Sequence, residues 1–277
     1  MKNLIDVDEL INFLRSSHLK PKDYLGQNFL VDEIVLDEII RAAELQKTDT
    51  VLEVGPGLGV LTAELLPRAG VVWAIEKDEK LIPILNKRFP NLNNLKIINQ
   101  DILRFHLEKN ISSKYKVVAN IPYYLTSKLF QYFLQQHNQP ELLVLMVQQE
   151  VGERVVAGPG NLSVLGISIQ VYADAEIILE VPKTSFWPEP KVDSVVLRIT
   201  PRKKYPEIVD FESFFRLVKM GFAGKRKQIH NTLATGLQIS KTESSQLLVR
   251  AGIDPMTRPQ DISIAQWIEL QKVVNHS

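Results

Sequence analysis

The chain has 277 residues, of which 45% are hydrophobic and 23% are charged, and its formal net charge at pH 7 is +1. This length favours one large plus one small domain, and the near-neutral charge means that any nucleic-acid-binding surface must be a local patch. The absence of cysteine excludes disulfides, cysteine nucleophiles and thiolate metal sites, and the five histidines show no metal-binding spacing, so we expect no metal site.

The first nine residues are too acidic and too poor in apolar side chains for a signal peptide. From residue 32 onward, apolar runs typical of buried strands alternate with helical patterns. The predicted strands are Thr50–Val54, Val71–Glu76, Leu95–Asn99, Tyr115–Ala119 and Leu142–Val147. The predicted helices are residues 32–46, Val60–Ala69, Glu79–Phe89 and Thr126–Gln136. This alternation predicts a doubly wound parallel sheet, and no apolar run is long enough to cross a membrane, so we expect a cytoplasmic protein.

The pattern changes after residue 170. Two further strands are predicted at Gln170–Leu179 and Ser194–Thr200, joined through a proline-rich stretch, and they fit a seven-stranded sheet closed by an antiparallel strand. A basic, proline-flanked linker at residues 201–206 precedes helical patterns that continue to the C-terminus. We therefore predict an α/β, Rossmann-like domain at residues 1–205 and a small all-helical domain at residues 206–277.

A glycine-rich loop follows the first predicted strand, with glycine at positions 55, 57 and 59. Glycines let the backbone approach a ligand closely, and the N-terminus of the following helix favours an anionic group. The dinucleotide-binding pattern G-x-G-x-x-G would need a glycine where this chain has Val60. The spacing G-x-G-x-G with Glu53 before it suits S-adenosylmethionine, whose only formal anion is one carboxylate, and we predict this cofactor.

Acidic residues follow at the ends of the next two strands. Glu76 could accept hydrogen bonds from both ribose hydroxyls, a role shared by NAD and S-adenosylmethionine sites, so it does not discriminate between them. Asp101 could accept a bond from the adenine amine of the cofactor. Each also has an ordinary alternative, a helix cap for Asp101 and a solvated charge for Glu76. Together with the glycine loop they predict one crevice at the carboxyl ends of the strands.

The fourth strand runs into the tetrapeptide Asn120-Ile121-Pro122-Tyr123. The Asn120 side-chain oxygen and the Ile121 carbonyl could each accept one N–H bond from a planar amine, and Tyr123 offers a ring for the base. Proline fixes its own φ and pushes the preceding residue into extended geometry, so the turn is stiff. A stiff pair of acceptors suits a reaction whose catalysis is mostly positioning.

With these motifs, the sequence resembles the KsgA family of ribosomal RNA adenine dimethyltransferases nearly from end to end. Residues 26–30 are similar to the family's Gly-Gln-(His/Asn)-Phe-Leu motif, and residues 185–194 to its Phe-x-Pro-x-Pro-x-Val-x-Ser segment. The resemblance implies cofactor contacts at Asn28, Leu30, Gly55, Gly57, Glu76, Asp101 and Asn120. It implies catalytic positions at Asn120, Ile121, Pro122, Tyr123 and Phe186, with Phe186 packed on the target adenine opposite Tyr123.

The resemblance further implies N6,N6-dimethylation of two adjacent adenosines near the 3′ end of small-subunit rRNA, by a monomer acting on a pre-assembled subunit. Residues 198–204 and 225–227 contain basic patches that could contact RNA phosphates, with a solvated charged face as the alternative. Other functions stay open: methylation of large-subunit rRNA by the related antibiotic-resistance group, methylation of adenine in DNA, and a ribosome-assembly role in which binding matters more than methylation.

Overall fold

The structure is a computed structural model that describes residues 4–22, 26–111, 113–122, 125–202, 205, 208, 210–224 and 226–276. The chain divides into two compact units. The first comprises Met1–Gly152 with Ala175–Pro201, and the second comprises Glu153–Asp174 with Arg202–Ser277. The functions assigned to residues 1–205 and 206–277 stay a prediction.

Nine strands are formed by the described residues: β1 (Phe29–Leu30), β2 (Thr50–Val54), β3 (Val71–Glu76), β4 (Leu95–Asn99), β5 (Lys116–Asn120), β6 (Leu142–Gln148), β7 (Ala173–Val181), β8 (Phe186–Trp187) and β9 (Ser194–Pro201). Seven of them form one sheet in the order β4-β3-β2-β5-β6-β9-β7. Strands β2 to β6 pair in parallel, and β9 pairs antiparallel with β6. The predicted Rossmann-like, seven-stranded fold class is confirmed.

The helices in the described part of the chain are α1 (Val7–Ser16), α2 (Glu33–Ala42), α3 (Val60–Leu65), α4 (Ile82–Arg88), α5 (Leu107–Asn110), α6 (Thr126–Leu134), α7 (Gln149–Val156), α8 (Val164–Gln170), α9 (Phe211–Gly221), α10 (Ile229–Leu237), α11 (Lys241–Arg250) and α12 (Ile264–Asn275). Polar side chains cap several of them, such as Asp32 at α2 and Ser163 at α8. These caps satisfy N–H groups that have no partner within the helix. Within the described ranges, no helix is both long and apolar enough to cross a bilayer.

The core of the first unit explains why the sequences of its strands are continuous apolar runs. Val51, Val72, Val118 and Val144 come from four neighbouring strands, are 0% exposed and share one cluster with Ile39 of α2. Parallel strands are covered on both faces, so they carry apolar residues at successive positions. Burying each such side chain stabilises the folded state by about 1.5–3 kcal/mol. This core holds the strands in place, and the polar residues lie at their ends.

The predicted strand over Gln170–Leu179 is wrong at its start. Helix α8 continues to Gln170, and β7 begins only at Ala173. The aromatic ring of Tyr172 stacks on Phe211, with 5.1 Å between the ring centroids. Packing within the second unit therefore overrides the β-propensity of this short segment. The structure also adds α1 and the antiparallel β1–β8 pair, which the sequence patterns did not predict.

Candidate active site

A cleft opens at the sheet edge where the carboxyl ends of β2, β3 and β5 meet. The residues predicted to contact a cofactor all line it: Asn28, Leu30, Gly55, Gly57, Glu76, Asp101 and Asn120. Parallel strands bring their carboxyl ends to one edge, so residues far apart in sequence become neighbours. The crevice that the sequence predicted is therefore present, while the role of each residue stays a prediction.

The glycine loop has left-handed backbone conformations at Gly55, Gly57 and Gly59, with φ of +68°, +59° and +79°. At Gly59 an added Cβ would lie 2.5 Å from Cε2 of Phe89. At Gly55, which lines the cleft, an added Cβ would meet nothing within 4 Å. Gly59 is therefore required by packing as well as by φ, whereas Gly55 leaves the backbone open to a ligand.

Glu53, two residues before the loop, is 1% exposed and also lines the cleft. Its Oε2 accepts a hydrogen bond from Thr62 Oγ1 at 2.6 Å, whereas Oε1 is buried and has no hydrogen-bond partner among the described residues. Burial raises the pKa of Glu53 from 4.5 to about 8. A buried carboxyl oxygen without a partner fits a ligand that brings a polar group to form a hydrogen bond with it.

Glu76 ends β3 and is held by the main chain on both oxygens. Its Oε2 accepts the Gly57 N–H at 3.1 Å, and its Oε1 accepts the Asp78 N–H at 2.7 Å. Burial raises the pKa of Glu76, and these hydrogen bonds oppose the increase. Each carboxylate oxygen can accept more than one hydrogen bond, so Glu76 can also accept hydrogen bonds from hydroxyl groups of a ligand.

Asp101 caps a turn, which is the ordinary alternative that the sequence left open, and it also lines the cleft. Its Oδ1 accepts the Leu103 N–H at 3.0 Å, and its Oδ2 pairs with Lys77 Nζ at 3.0 Å. Burial alone would raise the pKa of Asp101, but the hydrogen bonds from Lys77 and Leu103 and nearby positive charge hold it below its usual value. Asp101 is therefore an ionised acceptor at neutral pH.

Asn120 ends β5, and its Nδ2 donates to the Asn28 carbonyl at 3.3 Å. This bond uses the donor end of the carboxamide and leaves Oδ1 as the acceptor end. Ile121 is 2% exposed, so its side chain is part of the core. Pro122 lines the cleft. Tyr123, which was predicted to support the base, lies outside the described residues.

Phe186 lies opposite Leu30 in the β1–β8 pair and is 4% exposed within the core of the first unit. The adjacent Ser185 donates its hydroxyl to Asp32 at 2.7 Å, and its carbonyl accepts the Val31 N–H at 2.9 Å. Hydrogen bonds therefore join the segment around Val31 to the segment around Ser185, although the two are distant in sequence. The contact between Phe186 and a target base stays a prediction.

Sequence reasoning missed the ion pair of Lys77 with Asp101 and a cluster of Asp78 with Lys22 and Gln27. The only sequence signal was position, since Lys77 and Asp78 directly follow Glu76. The described ranges contain no group of three or more histidine, cysteine, aspartate or glutamate residues that could hold a metal ion.

The two basic patches differ in the structure. Arg198 and Arg202 pair with carboxylates of the protein itself, whereas Arg226 and Lys227 are exposed. The other predicted patch residues, Lys203, Lys204 and Lys225, lie outside the described residues. Among the described residues of the two patches, the exposed basic side chains are therefore those of Arg226 and Lys227.

The fold and the cleft together define an S-adenosylmethionine-dependent methyltransferase. The residues present fit this cofactor, because Gly55 leaves the backbone accessible and Glu53 has a buried carboxyl oxygen without a partner among the described residues. A family model described as ribosomal RNA adenine dimethylase matches residues 18–276. The chain belongs to this family, and it is an rRNA adenine dimethyltransferase that uses S-adenosyl-L-methionine.

Individual relatives agree with this assignment. The chain is 44% identical over 255 residues to a ribosomal RNA small subunit methyltransferase A of Dehalococcoides mccartyi, covering 91% of this chain and 88% of that protein. It is 37% identical over 276 residues to the protein of the same name from Moorella thermoacetica, covering 95% and 96%. The predicted family, enzyme class and cofactor are confirmed.

Two solved structures share the fold over most of the chain. A dimethyladenosine transferase from Plasmodium falciparum has a TM-score of 0.76 at 27% identity, covering 90% of this chain and 98% of that one. The 23S rRNA methyltransferase ErmE has a TM-score of 0.70 at 26% identity, covering 90% of this chain and 100% of that one. The fold therefore does not by itself choose between the two ribosomal subunits.

Proposed function

We propose that this chain dimethylates the N6 amines of two adjacent adenosines near the 3′ end of small-subunit rRNA, during ribosome biogenesis in the cytoplasm. The observation that carries the proposal is the position of Asn120, which ends a strand at the cleft and is oriented by the Asn28 carbonyl. The choice of subunit is supported by the relatives at 37–44% identity, which are named as small-subunit enzymes.

The cofactor contacts follow from the chemistry of the cleft. Glu76 accepts the ribose hydroxyls, and Asp101 accepts the adenine amine of the cofactor. Gly55 and Gly57 allow close approach to the backbone, and the Asn28–Leu30 segment contributes the remaining contacts. S-adenosylmethionine supplies a methyl group bonded to its positively charged sulfur.

The substrate side depends on the tetrapeptide. An adenine amine is a poor nucleophile because its lone pair is delocalised into the ring. Asn120 Oδ1 and the Ile121 carbonyl accept its two N–H bonds and favour a pyramidal nitrogen, while Pro122 keeps the turn stiff. The base must first leave its stack, and contact with Tyr123 and Phe186 offsets this cost by about 1–3 kcal/mol per stacked base. The methylated nitrogen is acidic and loses its proton to solvent, so no general base is required.

RNA recognition is assigned to the C-terminal part, residues 206–277. Arg226 and Lys227 are exposed and would contact phosphates, which position RNA without reading its sequence. Substrate choice then comes from RNA shape and from the base pocket. In this proposal a monomer acts on a pre-assembled small subunit.

The test is transfer of labelled methyl groups to unmethylated small subunits, large subunits and duplex DNA in parallel. We expect label only in the small subunit, and none with Asn120→Ala. Methylation of large-subunit rRNA is the second candidate because of the ErmE similarity. Label that appears only in large subunits would establish that candidate and contradict our choice of substrate.

A further inference from the structure

Asp78 is the buried centre of a polar cluster beside the cleft. Its side chain is 4% exposed. It accepts hydrogen bonds from Lys22 Nζ at 2.8 Å, from Gln27 Nε2 at 3.0 Å and from the Lys80 N–H at 3.1 Å. A buried carboxylate with three donors is well satisfied, so the cluster has one preferred arrangement.

The cluster fixes the chain immediately before Asn28. Gln27 Oε1 accepts the Lys22 N–H at 2.9 Å, while the other end of the same carboxamide donates to Asp78. Gln27 therefore cannot rotate without breaking one of these bonds. The next residue, Asn28, lines the cleft and accepts Asn120 Nδ2 on its carbonyl at 3.3 Å.

The backbone of Asp78 fixes Glu76, another residue that lines the cleft. Its N–H donates to Glu76 Oε1 at 2.7 Å, and the Gly57 N–H donates to Glu76 Oε2 at 3.1 Å. One residue thus joins two parts of the site: its main chain orients Glu76, and its side chain holds Gln27 beside Asn28. Hydrogen bonds therefore link Glu76 to Gln27 through the residue Asp78. The next residue along the chain, Asn28, bonds to Asn120 through its carbonyl.

The charge of Asp78 supports this arrangement. Burial alone would raise the pKa of Asp78, but hydrogen bonds from Lys22, Gln27 and the Lys80 N–H outweigh that effect and hold it below its usual value. Asp78 is therefore ionised at neutral pH, and hydrogen bonds to an ionised acceptor are stronger than neutral ones.

We propose that Asp78 is a positioning residue for methyl transfer, which sets Asn28 relative to Glu76 and, through the Asn28 carbonyl, relative to Asn120. This inference rests on the cofactor and catalytic roles proposed above for those residues. Its test uses cofactor binding without RNA, so an error in the choice of RNA substrate would not affect the outcome.

The experiment measures the dissociation constant of S-adenosylmethionine by calorimetry for the full chain and for the variants Asp78→Asn and Gln27→Met. Asp78→Asn places an NH2 group against the Gln27 donor. Gln27→Met removes the bonds of Gln27 to Asp78 and to the Lys22 N–H, while the Lys22–Asp78 ion pair remains. We expect both to weaken cofactor binding about tenfold, which corresponds to about 1.4 kcal/mol. Gln27→Met should retain most of the stability of the wild type, so its affinity for S-adenosylmethionine can be measured even if Asp78→Asn folds poorly.

A rescue and a matched control complete the design. The double change Asp78→Asn with Gln27→Glu reverses donor and acceptor, keeps the net charge and should restore most of the affinity. Asp49→Asn makes the same change in another ion pair, with Lys116 at 2.9 Å, at the amino end of β2 away from the cleft. It should lower stability without changing affinity. Wild-type affinity in Gln27→Met, or loss of affinity in Asp49→Asn equal to that in Asp78→Asn, would overturn the proposal.

Discussion

Replacing Glu53 by glutamine should change how the stability of the protein depends on pH. The Glu53 side chain is 1% exposed, and burial raises its pKa from 4.5 to about 8. In the native state Glu53 therefore keeps its proton up to about pH 8, whereas in the unfolded chain it loses the proton near pH 4.5. Between these values the native state binds more protons, so the free energy of unfolding falls as pH rises.

The size of the effect follows from the two pKa values. The contribution of one such group to the free energy of unfolding falls by about 1.4 kcal/mol per pH unit, and by about 5 kcal/mol over the whole window. Glutamine keeps a carbonyl oxygen for the Thr62 hydroxyl, which donates to Glu53 at 2.6 Å, and it does not titrate. The stability of Glu53→Gln relative to wild type should therefore rise steadily from about pH 5 to about pH 8.

Urea unfolding at several pH values within this window measures the difference. Other titrating groups are common to both proteins and largely cancel when the two curves are subtracted. The control is Glu108→Gln, the same substitution at an exposed position of the same unit. A difference curve for Glu53→Gln that is flat with pH, or no steeper than that of the control, would refute a neutral buried Glu53.

Three further outcomes are expected. Asn120→Ala should abolish detectable methyl transfer, a loss of about a hundredfold or more, while subunit binding, measured separately, changes little; full activity would remove Asn120 from the mechanism. Gly59→Ala should destabilise the protein more than Gly55→Ala. Both positions have positive φ, which costs alanine about 1–2 kcal/mol, but only at Gly59 would the added Cβ also lie 2.5 Å from an aromatic ring; equal melting temperatures would contradict this. Changing Arg226 and Lys227 together to glutamine should weaken subunit binding and reduce the slope of log affinity against log salt concentration by about 1–2. An unchanged slope would show that these side chains are solvated and do not contact RNA phosphates.

The sheet was predictable where apolar runs are continuous. Strands β2, β3 and β4 have the predicted bounds, and the glycine loop, Glu76, Asp101 and Asn120 meet at one edge because parallel strands end together. The segment around Gln170 was predicted wrongly because the packing of Tyr172 on Phe211, a residue far along the chain, decides its conformation. Periodicity within a short window does not contain that information.

The supporting contacts of the site were not predictable for the same reason. Asp78 and Lys22 are 56 positions apart, and Ser185 and Asp32 are 153 apart, yet each pair forms a direct hydrogen bond. Such pairs follow from the three-dimensional fold and leave no local pattern. The raised pKa of Glu53 could not be predicted from the sequence either, because it depends on the burial of this residue in the folded protein.

The most direct test of the account is the analysis of small-subunit rRNA after reaction with the purified chain and S-adenosylmethionine. Nucleoside mass spectrometry measures N6,N6-dimethyladenosine, and primer extension locates it. We predict two dimethylated adenosines per small subunit, adjacent and near the 3′ end, and none after reaction with Asn120→Ala. Dimethyladenosine confined to large-subunit rRNA, or formed equally by Asn120→Ala, would contradict the account.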